Sequence, residues 1–207
     1  MGALIQTVAP SEEPITTAEA KKHSRVDITA DDSYIAALIT IARDMVEEET
    51  SRRLITQTYQ WKLSNWPSRN RLFVPIAPLS SVTSIVYQDL DDASTTFPAS
   101  SYLVDTSSEP NQIVLRDGIV WPIPAAGLRE VNAITITMVM GYGAAAAVPE
   151  RLKQGIKLLL AHFYENREAT APGAFGMKEI PIGLQRLIQQ EARWNQFANA
   201  RVSQEGG

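Results

Sequence analysis

Residues 132–163 run Asn132-Ala133-Ile134-Thr135-Ile136-Thr137-Met138-Val139-Met140-Gly141-Tyr142-Gly143, then four alanines and Val148-Pro149, then Glu150-Arg151-Leu152 onward to Phe163. The hydrophobic period changes inside this stretch. Ile134, Ile136, Met138 and Met140 alternate with Thr135, Thr137 and Val139, the period of two that a half-buried strand requires. After Pro149, Leu152, Ile156, Leu159, Leu160 and Phe163 recur at helical spacing. Pro149 suits the first helical position, where its missing N–H costs nothing. A strand handing over to a helix with one short turn between them sets the class: the chain mixes both elements and keeps them in separate blocks.

The same reading extends in both directions. Upstream, Tyr59, Trp61 and Leu63 alternate with Thr58, Gln60 and Lys62, and short β-rich runs follow near residues 72–74, 82–88, 102–105 and 112–115. Pro75, Pro78, the acidic stretch 89–92, Pro98, Pro110 and Asp117-Gly118 punctuate them as turns. Short strands between turns, without intervening helices, make an antiparallel β-module and not a parallel sheet.

Before residue 54 the pattern is helical. Thr16-Thr17-Ala18-Glu19 has capping-box spacing, with Thr16 as N-cap and Glu19 reaching back to its amide. A short helix is expected from there to about Arg25. Thr29-Ala30-Asp31-Asp32 opens a second helix, with acidic residues at the positive end of its dipole. Ile35, Leu38, Ile39, Ala42, Met45 and Val46 fall on one face of it. Glu47, Glu48 and Glu49 read as its solvated face, and Arg52-Arg53 as cations at its C-terminal carbonyls. Beyond the helix that follows Pro149, residues 171–180 form a Gly- and Pro-containing loop. A fourth helix is expected from Pro181, with Leu184, Leu187, Ile188 and Trp194 on one side, before periodicity is lost. The fold class is α+β: a helical bundle built by the N- and C-terminal helices, with an inserted antiparallel β-module. The expected divisions are residues 1–53 (helical), 54–143 (β-module), 144–191 (helical) and 192–207 (tail).

Composition excludes several function classes. The chain has 207 residues, 44% hydrophobic and 20% charged, which is a globular balance of one domain or two small ones. Nineteen Lys and Arg against 23 Asp and Glu leave a net charge of −4, the opposite of a nucleic-acid coat. No cysteine is present, so disulfides, Cys-zinc sites and thiol nucleophiles are out, and two histidines do not make a His-rich metal centre. Residues 1–10 lack the basic and apolar regions of a signal peptide. The apolar run near residues 157–163 is too short for a bilayer span, so a soluble, cytoplasm-made chain is expected.

Catalytic constellations are thin. Gly141-Tyr142-Gly143, after a strand and before a helix, has the outline of a phosphate-cradling loop. It lacks the Gly-Lys-Ser/Thr entry of a P-loop and the third glycine of a dinucleotide fingerprint. The plain reading is a glycine turn ending a strand. His162 and Glu165 stand three apart, as in carboxylate-bridged metal bundles, but the only other histidine, His23, has no glutamate at that offset. No Gly-x-Ser-x-Gly elbow occurs. No cofactor and no enzyme activity are expected. Arg52-Arg53, and Arg69 with Arg71, are small clusters that read as helix-end and loop residues. Trp61, Trp66, Trp121 and Trp194 stand out as β-module core or interface anchors.

Several stretches together resemble a known family. These are Pro14-Ile15-Thr16-Thr17-Ala18-Glu19-Ala20-Lys21, Arg25-Val26-Asp27, Asp31-Asp32, Leu54-Ile55-Thr56-Gln57-Thr58, Pro75-Ile76-Ala77-Pro78-Leu79-Ser80-Ser81-Val82, Tyr102-Leu103-Val104-Asp105 and Gly141-Tyr142-Gly143. Val148-Pro149, leading to His162-Phe163-Tyr164-Glu165-Asn166-Arg167, completes the set. In order and spacing, over roughly residues 10–190, they resemble the head–tail connector (adaptor) proteins of long-tailed phages, which also occur in phage-derived gene transfer agents. The turn at residues 89–92 lacks the glycine often found in that family's hairpin, and the tail beyond Gln190 is longer.

The resemblance implies a structural virion protein at the particle neck, assembled in the bacterial host cytoplasm. It implies a ring, typically of twelve copies, beneath the portal protein, extending the DNA channel and docking a stopper or tail-completion protein. Other neck roles, stopper or tail terminator, are the alternative within that class. Double-stranded DNA would pass through without specific binding, which a mildly acidic chain suits. A closed ring needs two different surfaces on each copy. Trp194, Phe197 and Arg201 are the candidate portal contacts, because aromatics persist there after the periodicity ends. Pro172, Gly173, Phe175, Gly176 and Lys178 are the candidate ring or channel loop.

Overall fold

The computed structural model describes residues 2–166. The described chain is α+β with antiparallel sheets only, and divides into two compact units. One joins residues 2–10 to residues 56–142 and carries all the strands. The other joins residues 11–55 to the chain from Gly143 and carries the helices. Among the described residues, no helix is long and apolar enough to cross a membrane.

Among the described residues of the β unit, eight strands make two sheets: β1 Ala3–Val8, β2 Gln57–Leu63, β3 Arg71–Phe73, β4 Leu79–Gln88, β5 Ser94–Phe97, β6 Tyr102–Asp105, β7 Gln112–Leu115 and β8 Ile134–Met140. The larger sheet runs β1-β2-β8-β4-β5, and the smaller β3-β7-β6. β8 is the central strand, and the alternation read from its sequence is its burial pattern: Ile134, Ile136, Met138 and Met140 are inaccessible, while Thr135, Thr137 and Val139 are half-buried. Register carries the pattern sideways, with Ile136 opposite Trp61 on β2 and Ile85 on β4, and Met138 opposite Tyr59 and Val82. Leu72, Ile113, Leu115 and Tyr102 of the smaller sheet belong to the same core. Burying each large β8 side chain contributes roughly 2 kcal/mol.

Two strands are not legible in the periodicity. β5 is short and polar, and its hairpin with β4 turns without glycine. Asp92 takes the left-handed conformation at φ 61°, while the Asp89 carboxylate accepts the N–H groups of Asp91 and Ala93, each at 2.9 Å. An Asx turn thereby replaces the glycine that the resemblance leads one to expect. β1 is the other. The sequence reading assigns residues 1–53 to a helical part, whereas Ala3–Val8 pairs antiparallel with β2 as an edge strand. Only Leu4 of β1 packs on the core, so there is no apolar alternation to read.

In the helical unit, α1 Thr17–Ser24, α2 Asp32–Thr50 and α3 Glu150–Glu165 pack against one another. The capping box at α1 is complete: Glu19 N–H donates to Thr16 Oγ1 at 3.2 Å, and Thr16 N–H to Glu19 Oε2 at 2.8 Å. The Glu19 carboxyl is held below the usual range by the Thr16 backbone and hydroxyl, with Lys157 and Lys153 adding to it. The buried face of α2 is the one expected, Ile35, Leu38, Ile39, Ala42 and Val46, with Met45 half-buried. The end of α2 is closed by Arg53, whose Nη1 donates to the Glu47 and Arg52 carbonyls. Pro149 precedes α3 as its N-cap, one position earlier than expected. Leu152, Ile156, Leu159 and Leu160 are buried, and Phe163 is half-buried.

Glu47 corrects the sequence reading. It is 4% exposed and not on a solvated face. Its carboxylate accepts the Leu54 N–H at 2.8 Å and lies 3.4 Å from Arg43 Nη1. Arg43 in turn grips Glu13 at 2.8 Å through Nε, and Asp44 at 2.7 Å through Nη1. Burial lowers the Arg43 pKa, but the hydrogen bond and charge of Glu13, with Glu47 and Asp44, outweigh it, and the net shift is upward. Arg43, Glu47 and Thr50 lie at i, i+4 and i+7 along one flank of the apolar stripe. Segments distant in sequence cover that flank, which the isolated helix pattern does not reveal.

Candidate functional site

Two places carry the enzyme alternatives, the glycine turn after β8 and the His162/Glu165 pair on α3. Gly141 and Gly143 have φ of 113° and 125°, so each needs glycine on backbone grounds. The Gly141 N–H is buried and donates to the Pro78 carbonyl at 3.0 Å. Downstream, the Ala145 N–H, at the entry of the short helical turn Ala145–Ala147, donates to the Glu12 carboxylate at 2.8 Å. A carboxylate of the chain thus sits where a phosphate would need an N–H. His162 leans against Phe163, with ring centroids 5.9 Å apart, and its carbonyl accepts from the Asn166 side chain. Glu165 is exposed. Among the described residues, no group of three or more acidic or histidine side chains is placed to hold a metal ion.

The surface features lie in the β unit. Between β7 and β8 the chain runs from Arg116 to Ala133 with only one isolated bridge, Asp89 to Leu128. A connection this long without regular structure is commonly functional. Here it is clamped. Trp121 stacks on Trp66 with centroids 4.8 Å apart and planes 9° from parallel. Each indole N–H donates across the clamp: Trp66 Nε1 to the Pro122 carbonyl at 2.7 Å, and Trp121 Nε1 to the Arg69 carbonyl at 2.8 Å. Phe97, Tyr87 and Tyr102 extend the cluster behind them, and burial raises the Tyr102 pKa.

While Trp121 stacks on Trp66, the segment presents Val120 at 79% and Ile123 at 77% exposure, with Val131 and, on the β4–β5 turn, Leu90 also exposed. Val120 and Ile123, three residues apart on this clamped segment, are the most exposed large aliphatic side chains among the described residues. The tryptophans were visible in the sequence as core or interface anchors. The exposed Val120 and Ile123 beside them carry no such signal, although Val120-Trp121-Pro122-Ile123-Pro124 is an apolar run broken by prolines.

A second device lies at the end of β6. The Asp105 carboxylate accepts from the Ser108 hydroxyl, the Gln112 side-chain amide, and the Ser107 and Ser108 N–H groups. These bonds, the Ser108 hydroxyl first, hold its pKa far below the usual carboxylate range. Buried Asn111 completes the turn, donating to the Thr106 and Ser108 carbonyls and accepting the Leu79 N–H at 2.8 Å. Neither residue was a sequence candidate, because a turn-capping Asp or Asn looks like any other loop polar residue.

The candidate portal contacts Trp194, Phe197 and Arg201, and the candidate loop residues Pro172, Gly173, Phe175, Gly176 and Lys178, lie outside the described residues. So does the helix expected from Pro181.

No protein-family model matches this chain, and no curated protein matches it. Solved structures do. A chain in the neck of an empty GTA particle, computed with C6 symmetry, superposes with a TM-score of 0.74 at 25% identity, covering 91% of this chain and 94% of that one. A chain in the virion of a native gene transfer agent (GTA) particle gives 0.74 at 25% identity, over 90% and 93%. A chain in the neck of a native GTA particle, computed with C12 symmetry, gives 0.67 at 26% identity, over 92% and 94%. This chain is similar, nearly end to end, to chains of gene transfer agent necks.

Proposed function

We propose that this protein is a structural component of the neck of a phage or phage-derived gene transfer agent particle, and that it works as a ring. The observation that carries the reading is the superposition on a GTA neck chain over 91% of this chain and 94% of that one, at a TM-score of 0.74. End-to-end coverage of both chains means that the whole architecture matches, not one common motif. The C6 and C12 symmetry of the matched necks supports a cyclic assembly. Within the neck, the role proposed is the head–tail adaptor: a ring under the portal protein that extends the DNA channel and docks the stopper. The motif resemblance spanning residues 10–190 supports that finer assignment over stopper or terminator.

The chemistry is consistent with a passive conduit. A net charge of −4 gives duplex DNA few phosphate contacts to form. The glycine turn spends its Gly141 N–H on the Pro78 carbonyl, and the neighbouring Ala145 N–H goes to Glu12. The matched chains come from virion and neck assemblies, which weighs against an enzyme. Trp194, Phe197 and Arg201 remain the proposed portal contacts. The loop with Pro172, Gly173, Phe175, Gly176 and Lys178 remains the proposed ring or channel element.

Native mass spectrometry of the protein alone, and mixed with the portal protein encoded beside it, tests the reading. About a dozen copies per portal ring is the expected result. A monomer that ignores the portal and retains a stoichiometric metal or nucleotide would overturn it.

A further inference from the structure

We propose that neighbouring copies join edge to edge through their larger sheets, β1 of one copy against β5 of the next, so that the sheet continues around the ring. This rests on the ring reading above and names the surfaces that close it. β1 and β5 are the two terminal strands of one five-stranded sheet. Every neighbouring pair in that sheet is antiparallel, and β1 and β5 are four steps apart, so they run in the same direction. Rotation about a ring axis leaves strand direction along that axis unchanged. A copy placed head-to-tail therefore presents its β5 parallel to its neighbour's β1, which is the heterologous contact a closed ring requires.

Among the described residues, neither edge strand carries a charge or a proline to block pairing. Soluble proteins guard open edges with charged side chains, proline or bulges. β1 reads Ala-Leu-Ile-Gln-Thr-Val and β5 reads Ser-Thr-Thr-Phe, with no charge and no proline in either. β1 does carry a bulge, between Gln6 and Val8. It leaves Ala3 to Gln6 regular, four residues against the four of β5. Ile5 at 45% and Val8 at 56% exposure lie on the first edge, and Ser94, Thr95 and Thr96 are exposed on the second.

Sidedness restricts the register. Leu4 and Gln6 share a face with their partners Trp61 and Tyr59 on β2, while Phe97 faces the core opposite Ile85. Pairing Ala3 with Ser94, Leu4 with Thr95, Ile5 with Thr96 and Gln6 with Phe97 keeps inward residues inward, and a one-residue slip reverses every one. The same register sets Lys62, the partner of Ala3, toward the exposed acidic turn of the neighbour. In that turn Asp92 meets Arg129 of its own copy at 3.4 Å, and Asp91 stands exposed.

The chain contains no cysteine, so introduced ones report only their own contacts. The double variant Ile5→Cys/Thr96→Cys is treated with a short bis-maleimide, alone and with the portal protein, alongside each single variant. Expected is a ladder of covalent multimers, at least about ten-fold stronger than from either single variant, because a neighbour held in place raises the effective thiol concentration to the millimolar range. Rings that persist by native mass spectrometry, yet cross-link no better than the single variants, overturn the edge contact and leave the ring reading standing. A chain that stays monomeric under both conditions overturns the ring reading and the contact with it.

Discussion

Trp66 and Trp121 lie in nearly parallel stack, 4.8 Å between centroids and 9° between planes, and each indole N–H is bonded to the backbone beside the other ring. Two segments more than fifty residues apart are thereby fixed as one surface. A double-mutant cycle with Trp66→Leu and Trp121→Leu, followed by urea unfolding, is expected to give a coupling energy of about 1 kcal/mol. Additive effects would mean that the stack contributes only through the area each ring buries.

The Glu47 carboxylate bridges the end of α2 to the Leu54 N–H and to Arg43. Replacing Glu47 by alanine leaves a buried guanidinium short of a partner and a buried N–H unbonded. The expected loss is about 3 kcal/mol. Glu47→Gln keeps an acceptor for Leu54 and is expected to cost less than half as much. If Glu47→Ala unfolds at the wild-type urea midpoint, the side chain is solvated after all.

The α1 capping box makes a smaller claim. Thr16→Ala removes the acceptor of the Glu19 N–H and is expected to cost about 1 kcal/mol, with Thr16→Ser close to wild type. Thermal denaturation of the three proteins checks the order. Equal midpoints for the alanine and serine variants would refute the cap's contribution.

Asp105 gives the stability of the β unit a pH dependence. Its folded pKa is depressed, so the stabilisation is fully present above its ordinary value of 3.8 and is lost as pH falls below it. Asp105→Asn is expected to flatten the decline of the urea midpoint between pH 4 and lower values, since an amide does not titrate there. A variant whose acid decline matches wild type would place the titrating group elsewhere.

Deleting residues 192–207 removes Trp194, Phe197 and Arg201 together. On the proposed adaptor role, the expected outcome is a folded protein that no longer associates with the portal protein, read by co-sedimentation and circular dichroism. Unchanged association would remove these residues from the portal contact.

What could be read in the sequence were the elements whose pattern is local. β8, α2 and α3 repeat apolar residues at their own periods, and the capping box satisfies the α1 terminus within three residues of chain. β6 and β7 fall on the residues read from the sequence. Composition alone removed cysteine chemistry from consideration. Tertiary structure decided what depends on distant chain. β1 exists because Ala3 to Val8 finds the edge of β2, fifty or more residues away, and an edge strand that buries only Leu4 leaves no periodic trace. Glu47 is buried because Glu13 and the Leu54 backbone close over its flank of α2, and a helical wheel contains neither. A residue's own periodicity records which face it turns to the core, whereas pairing edges and buried charges depend on what the rest of the chain brings to that face.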